Sequence, residues 1–182
     1  MRLIDFMDTI VKKKMYNDIE IGIRDGAPVM TAIALFAYSE MIGGIFRIVN
    51  GETEDVTFGP GQSNKNFSSF LSEMGKPYSS LNSRETYRII RGGLVHRYFI
   101  RRKSTIEINV ADPKCTMDYG LNCAIKFYGD DFVYFNINQF FKDIKKTVDK
   151  LMRKIRKRKL ENIEIAQHID DTKFIVSDMM LK

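Results

Sequence analysis

The sequence predicts a mainly α-helical bundle with a small antiparallel β insertion before its last long helix, and three observations lead there. Apolar residues recur at three- and four-residue steps over most of the first hundred positions, and again from Asn138 to about Leu160. Between residues 104 and 137 the pattern turns to alternation, with Gly129-Asp130-Asp131 placed as the turn of a hairpin. A length of 182 residues, 44% of them hydrophobic, suits one domain with a real core. That domain is expected over residues 1–160, with the insertion at about 104–137 and a tail at 161–182.

Leu3, Phe6, Met7, Ile10, Val11 and Ile19 fall at helical spacing, with Lys12, Lys13 and Lys14 on the outer side, so residues 2–21 read as a surface helix. Asp25, Gly26 and Pro28 break it and open a second helix over about 27–48, where proline is tolerated in the first turn. This helix is apolar nearly all round and is therefore expected at the centre. Its apolar run is only marginally long enough to span a bilayer and holds Thr31, Tyr38, Ser39 and Glu40, so it reads as a buried bundle helix with no membrane role. Gly43 and Gly44 near its end would let a neighbouring helix approach closely.

Residues 49–66, rich in Gly, Asp, Glu, Ser and Asn around Gly59-Pro60-Gly61, read as a long loop. A short helix over 67–74 ends at Gly75, and Lys76-Pro77 stops its continuation. Asn82 with Glu85 three positions on matches a capping box and opens the next helix. Tyr87, Ile90, Leu94 and Tyr98 form its apolar stripe, while Arg88, Gly92 and His96 form another at four-residue steps with Arg91 beside it, so that Arg91 and His96 border one exposed groove. Strands are expected over 105–110, 123–128 and 132–137. The last helix carries Phe141, Ile144, Val148, Leu151 and Ile155 as a seam, and the segment after Leu160 is weakly periodic.

The formal charge of +6 is local. Residues 142–159 hold ten Lys and Arg against two Asp, which leaves the rest of the chain slightly acidic. Lys150, Arg153, Lys154, Arg156 and Lys157 on that helix are the candidate RNA-binding residues, because a clustered positive field attracts phosphates. The patch lacks interleaved aromatic residues, which argues against base stacking. Two cysteines, Cys115 and Cys123, make neither a disulfide framework nor a zinc site. Asp5 and Asp8 interrupt the first apolar stretch, so it does not read as a signal peptide, and the expected location is cytoplasmic.

The stretch with a chemical reading runs from Asn82 to Ile100. Cleaving RNA without a metal requires a base near neutrality to take the 2′-OH proton, and histidine is the side chain whose ordinary pKa lies there. It also requires a fixed positive charge for the negative charge that develops on phosphorus, which the planar fork of arginine supplies. Arg91 and His96 meet both needs. Arg88 is a candidate accessory residue, and Glu40 a candidate to orient a motif residue through a charged hydrogen bond.

The run Arg91-Gly-Gly-Leu-Val-His96-Arg-Tyr98 resembles the signature of HEPN domains (higher eukaryotes and prokaryotes nucleotide-binding), helical bundles many of which are metal-independent ribonucleases. Gly92 stands where that family often has Asn, Asp or His. The resemblance implies a homodimer in which two Arg and two His converge on one phosphate, with no cofactor and no metal. It also implies a toxin-like or defence role, with Tyr98 as the position that a nucleotidyltransferase antitoxin blocks by nucleotide transfer. Two other readings stand beside it: a non-catalytic nucleic-acid-binding module built on the basic helix, and a structural dimer in which the motif has no catalytic part.

Overall fold

The computed structural model describes residues 1–97, 103–107, 123–129 and 132–165, and shows a helical bundle with a small sheet ahead of its last helix. The chain begins as one rod: α1 (Leu3–Phe6), a π-helical stretch (Met7–Met15) and α2 (Tyr16–Arg24). Val11, Met15 and Ile19 are buried at successive four-residue steps. On an α-helix such steps drift by about 40° each, and the wider i→i+5 winding holds these side chains nearer to one face.

Gly26, at φ 70°, turns the chain into α3 (Pro28–Val49), which has proline in its first turn. The Tyr38 hydroxyl donates to Asp18 at 2.8 Å and ties α3 back to α2. α3 is long and apolar enough to cross a membrane; here 56% of its most apolar window is buried inside the fold.

The stretch 50–62, expected as loop, instead contains α4 (Glu54–Phe58), and α5 (Ser63–Met74) begins earlier than its apolar pattern suggests. Contacts from outside hold these residues. The buried Arg47 guanidinium donates to Glu52 at 3.0 Å, Gln62 at 3.2 Å and Asn66 at 2.6 Å, and the Asn66 amide donates to the Thr57 carbonyl at 3.1 Å. Against this network α3 and α5 pack closely. A Cβ on Gly43 would lie 1.9 Å from the Asn66 carbonyl oxygen, and one on Gly44 would lie 2.6 Å from the Phe58 ring.

Gly75, at φ 108°, ends α5 as expected, and Lys76-Pro77 then opens the single-turn α6 (Lys76–Ser79). There the buried Tyr78 donates to Asp143 at 2.7 Å and accepts from the Ala124 N–H at 2.9 Å, joining α6, the sheet and the last helix. The motif helix follows as α7 (Ser83–Thr86), a π-helical turn (Tyr87–Arg91) and α8 (Gly92–Arg97). Its cap is the expected one: Asn82 Oδ1 accepts from the Glu85 N–H at 3.1 Å.

The expected antiparallel hairpin is present as β2 (Ile125–Tyr128) against β3 (Phe132–Asn136). The remaining strand departs from expectation. β1 (Lys103–Glu107) starts two residues earlier than predicted and runs parallel to β3 on its other edge, giving the order β1-β3-β2. Val133, Tyr134 and Phe135 of this central strand are all buried. Alternation along a strand does not say which neighbour it joins or in which direction.

The last helix, α9 (Ile137–Lys157), is capped by Asn136, whose side chain accepts from the Gln139 N–H at 2.8 Å. The predicted seam is buried, widened by Phe140 and Met152. The first residues of the expected tail are fastened to the chain start: Leu3 N–H donates to Ile163 at 2.7 Å and Ile165 N–H to Met1 at 3.0 Å. Residues 166–182 lie outside the described residues.

If the glycine contact closes the bundle, Gly43→Ala should lower stability by about 3 kcal/mol, at the upper end of overpacking effects. That corresponds to a fall in Tm of roughly 6–12 °C for a chain of this size. An unchanged Tm by circular dichroism would show that α3 and α5 do not approach this closely.

Candidate functional site

The site is assembled where the motif helix crosses α3. Arg91 Nε donates to Glu40 Oε1 at 3.1 Å, with 30% of the arginine side chain and 13% of the glutamate side chain exposed. The accessory role predicted for Glu40 therefore has its geometry, since the acid holds the arginine by one nitrogen. Among the described residues the two Nη groups of Arg91 carry no hydrogen bond, which leaves the outer edge of the fork open.

Tyr87, read from the sequence as part of the apolar stripe, belongs to the site as well. The Arg91 guanidinium carbon lies 5.5 Å from the centre of its ring, within cation–π range. Tyr87 packs on Phe67 at 5.6 Å, and Phe67 stacks on Phe36 at 5.1 Å, so an aromatic column runs from the arginine into the core. Burial, followed by the Glu40 carboxylate, raises the Tyr87 pKa. The i,i+4 spacing from Tyr87 to Arg91 was a usable signal for this pairing.

His96 is on α8, five residues beyond Arg91. On an α-helix five residues separate two positions by about 7.5 Å along the axis and about 140° around it. Arg91 turns to the α3 side, and by this spacing position 96 falls with Arg88 and Gly92 on an adjoining face; whether Arg91 and His96 border one groove turns on the His96 side chain, which lies outside what is described. Arg88 is exposed and makes no ion pair among the described residues. A Cβ on Gly92 would meet nothing nearer than the Tyr87 carbonyl oxygen at 4.0 Å. Tyr98 lies outside the described residues.

The predicted RNA-binding residues fall into two groups. Lys150 and Lys154 turn inward to Glu73, at 2.7 and 2.6 Å, and the Lys154 ammonium also lies 5.3 Å from the centre of the Phe46 ring. Arg153, Arg156 and Lys157 are exposed. Periodicity could not make this division, because Glu73 comes from another helix.

Cys123 is buried and its thiol is pushed up to about 11 by that burial, which makes it a poor nucleophile at neutral pH. Among the described residues no three His, Cys, Asp or Glu side chains gather as a metal site requires. No family model, curated protein or solved structure matches this chain.

Two predictions follow from these contacts. A double-mutant cycle on Glu40→Ala and Arg91→Ala, read by urea unfolding, should give a coupling of about 0.5–3 kcal/mol; additive losses would mean that the pair does not form. The second concerns acid. Burial acts to raise the Glu73 pKa, but Lys150 and Lys154 together hold it below the ordinary 4.5. A carboxylate with a depressed folded pKa contributes stability above its unfolded pKa and loses it as pH falls through the folded one. Glu73→Gln should therefore flatten the stability profile of the protein below about pH 4.5, and identical acid limbs for variant and wild type would rule the clamp out.

Proposed function

We propose that the chain is a HEPN-like, metal-independent endoribonuclease whose site is completed by a second copy. The observation that carries this reading is the state of Arg91. Its guanidinium is held through Nε by Glu40 and backed by Tyr87, while among the described residues nothing takes the Nη edge, which is left for the non-bridging oxygens of a phosphate. Two further features support it. One chain sets Arg91 and position 96 on different faces of the motif helix, so a facing copy is what brings an arginine and a histidine to one phosphate. Among the described residues, nothing comes nearer than 4.0 Å to a Cβ on Gly92, on the face that carries position 96.

In this mechanism one imidazole takes the proton of the 2′-OH, and the 2′-oxygen attacks the adjacent phosphorus. The bond to the 5′-oxygen breaks, and that oxygen receives a proton from the second histidine, which enters the step as the imidazolium. The products are a 2′,3′-cyclic phosphate and a 5′-hydroxyl. The two Arg91 side chains stabilise the extra negative charge that builds up on the phosphoryl oxygens. Glu40 acts as a positioning residue through Arg91.

Purified protein should cleave single-stranded RNA in EDTA, leave DNA intact for want of a 2′-OH, and sediment as a dimer at micromolar concentration. His96→Ala and Arg91→Ala should each lower turnover at least about a hundredfold, with helical content retained. Equal trace activity in wild type and His96→Ala, a strict need for Mg²⁺, or cleavage by a stable monomer would defeat the reading.

A further inference from the structure

We propose that the C-terminal end of α9 is a docking site for the phosphate backbone of single-stranded RNA, formed by Arg153, Arg156, Lys157 and Lys159. The proposal deepens the reading above by stating how the substrate is held, and rests on it only for the choice of RNA among polyanions.

The ten basic residues of 142–159 are not equivalent in the fold. Lys145 is paired with Glu20 at 2.8 Å, Lys146 with Asp143 at 3.0 Å, and Lys150 and Lys154 with Glu73; Arg158 donates to the Val49 carbonyl. The remaining five, Lys142, Arg153, Arg156, Lys157 and Lys159, are exposed and make no ion pair among the described residues. Four of these five fall within one stretch of seven residues: three on the last turn of α9, spanning about 6 Å of helix rise, and Lys159 just past its end.

Cations at a helix C-terminus are favoured by the helix dipole, and one or two would satisfy it. Here Arg153 stands three residues from Arg156 and four from Lys157, spacings at which like charges repel. The group is therefore self-repelling until an anion joins it.

The backbone adds an independent observation. α9 ends in a Schellman motif: the Leu160 N–H bonds to the Ile155 carbonyl at 3.0 Å and the Lys159 N–H to the Arg156 carbonyl at 3.1 Å. The residue at its left-handed position is Lys159, at φ 57°, the one non-glycine residue with positive φ among the described residues. Glycine is the relaxed choice at that position. The chain instead carries a cation there, in a conformation that costs free energy, two and three residues after Lys157 and Arg156.

The platform is firm, since Leu151, Met152 and Ile155 are buried beneath it and Arg158 is anchored to the end of α3. The four side chains include no aromatic or apolar residue. That favours contact with backbone phosphates over stacking on bases, and it gives a membrane nothing to insert. Binding should be independent of sequence.

The test uses the His96→Ala chain, so that RNA stays intact, with a fluorescein-labelled polyuridine read by anisotropy between about 50 and about 300 mM KCl. Four phosphate contacts on a single strand predict a slope of log K against log salt of about −3. The triple substitution Arg153→Gln, Arg156→Gln and Lys157→Gln should bring the slope to about −1 and weaken binding by about tenfold or more at 100 mM salt. Lys159→Gly should raise Tm and yet make the slope shallower, a combination that a purely structural role would not produce. Lys150→Gln with Lys154→Gln should leave the slope unchanged.

A slope unaltered by the triple substitution, or binding to phosphatidylserine vesicles without binding to RNA, overturns the proposal. RNA bound with the expected slope but left uncut by wild type upholds the docking site and makes the chain a non-catalytic binder. Cleavage whose KM is unaffected by the triple substitution leaves the ribonuclease reading standing and removes the docking site.

Discussion

The contact on which the structure depends is the approach of α3 to α5 at Gly43, where the Asn66 carbonyl oxygen occupies the space a side chain would need. Phe36, Glu40, Gly43 and Arg47 recur at steps of three and four and so share one face of α3. Each meets the neighbouring elements differently. Phe36 stacks on Phe67 of α5, and Arg47 gathers Glu52, Gln62 and Asn66 into a buried polar network. Glu40, one turn before the glycines, meets the motif helix through Arg91. A buried guanidinium is tolerable only when its donors are satisfied, and α5 can satisfy those of Arg47 because the glycines let it come close. The candidate site is a consequence of the same face, since the separation that admits Asn66 also sets the reach of Glu40.

Charge in this fold is divided by burial. Where a carboxylate is partly withdrawn from water, the ammonium groups around it are drawn in, as Lys150 and Lys154 are to Glu73. These pairs fasten α9 to the end of α5 and add little external field. Cations with no acid within reach stay in solvent and produce the field a polyanion would sense, weakened by salt over about 10 Å. The ten basic residues of 142–159 are thus of two kinds, and composition alone counts them as one patch.

At the site, pairing with Glu40 has a cost and a use. The carboxylate reduces the net field of Arg91, while fixing its plane against the Tyr87 ring removes rotamer freedom that binding would otherwise have to remove. The aromatic column from Tyr87 through Phe67 to Phe36 makes that orientation a property of the core. A surface arginine without such backing would present its Nη groups with less precision.

Local patterns were enough for the helical character of the bundle, the cap at Asn82, the stop at Gly75, the hairpin around Gly129 and the buried seam of α9. Each rests on interactions within a few residues, or on one element's need to bury one face, and such needs are written in periodicity. The single-turn helices in 50–79, the parallel partnership of β1 with β3 and the sorting of the lysines along α9 were not legible, because each depends on a group from a distant part of the chain: Arg47 reaching Gln62 and Asn66, β3 accepting a second neighbour, Glu73 claiming Lys150 and Lys154. The site divides in the same way. Arg91 and His96 stand out as a spacing, and Glu40 could be named as a partner in waiting, but that Arg91 turns to Glu40 and that Tyr87 lies beneath it were settled only by how the motif helix crosses α3, since spacing along a chain carries no information about which face a neighbour will occupy.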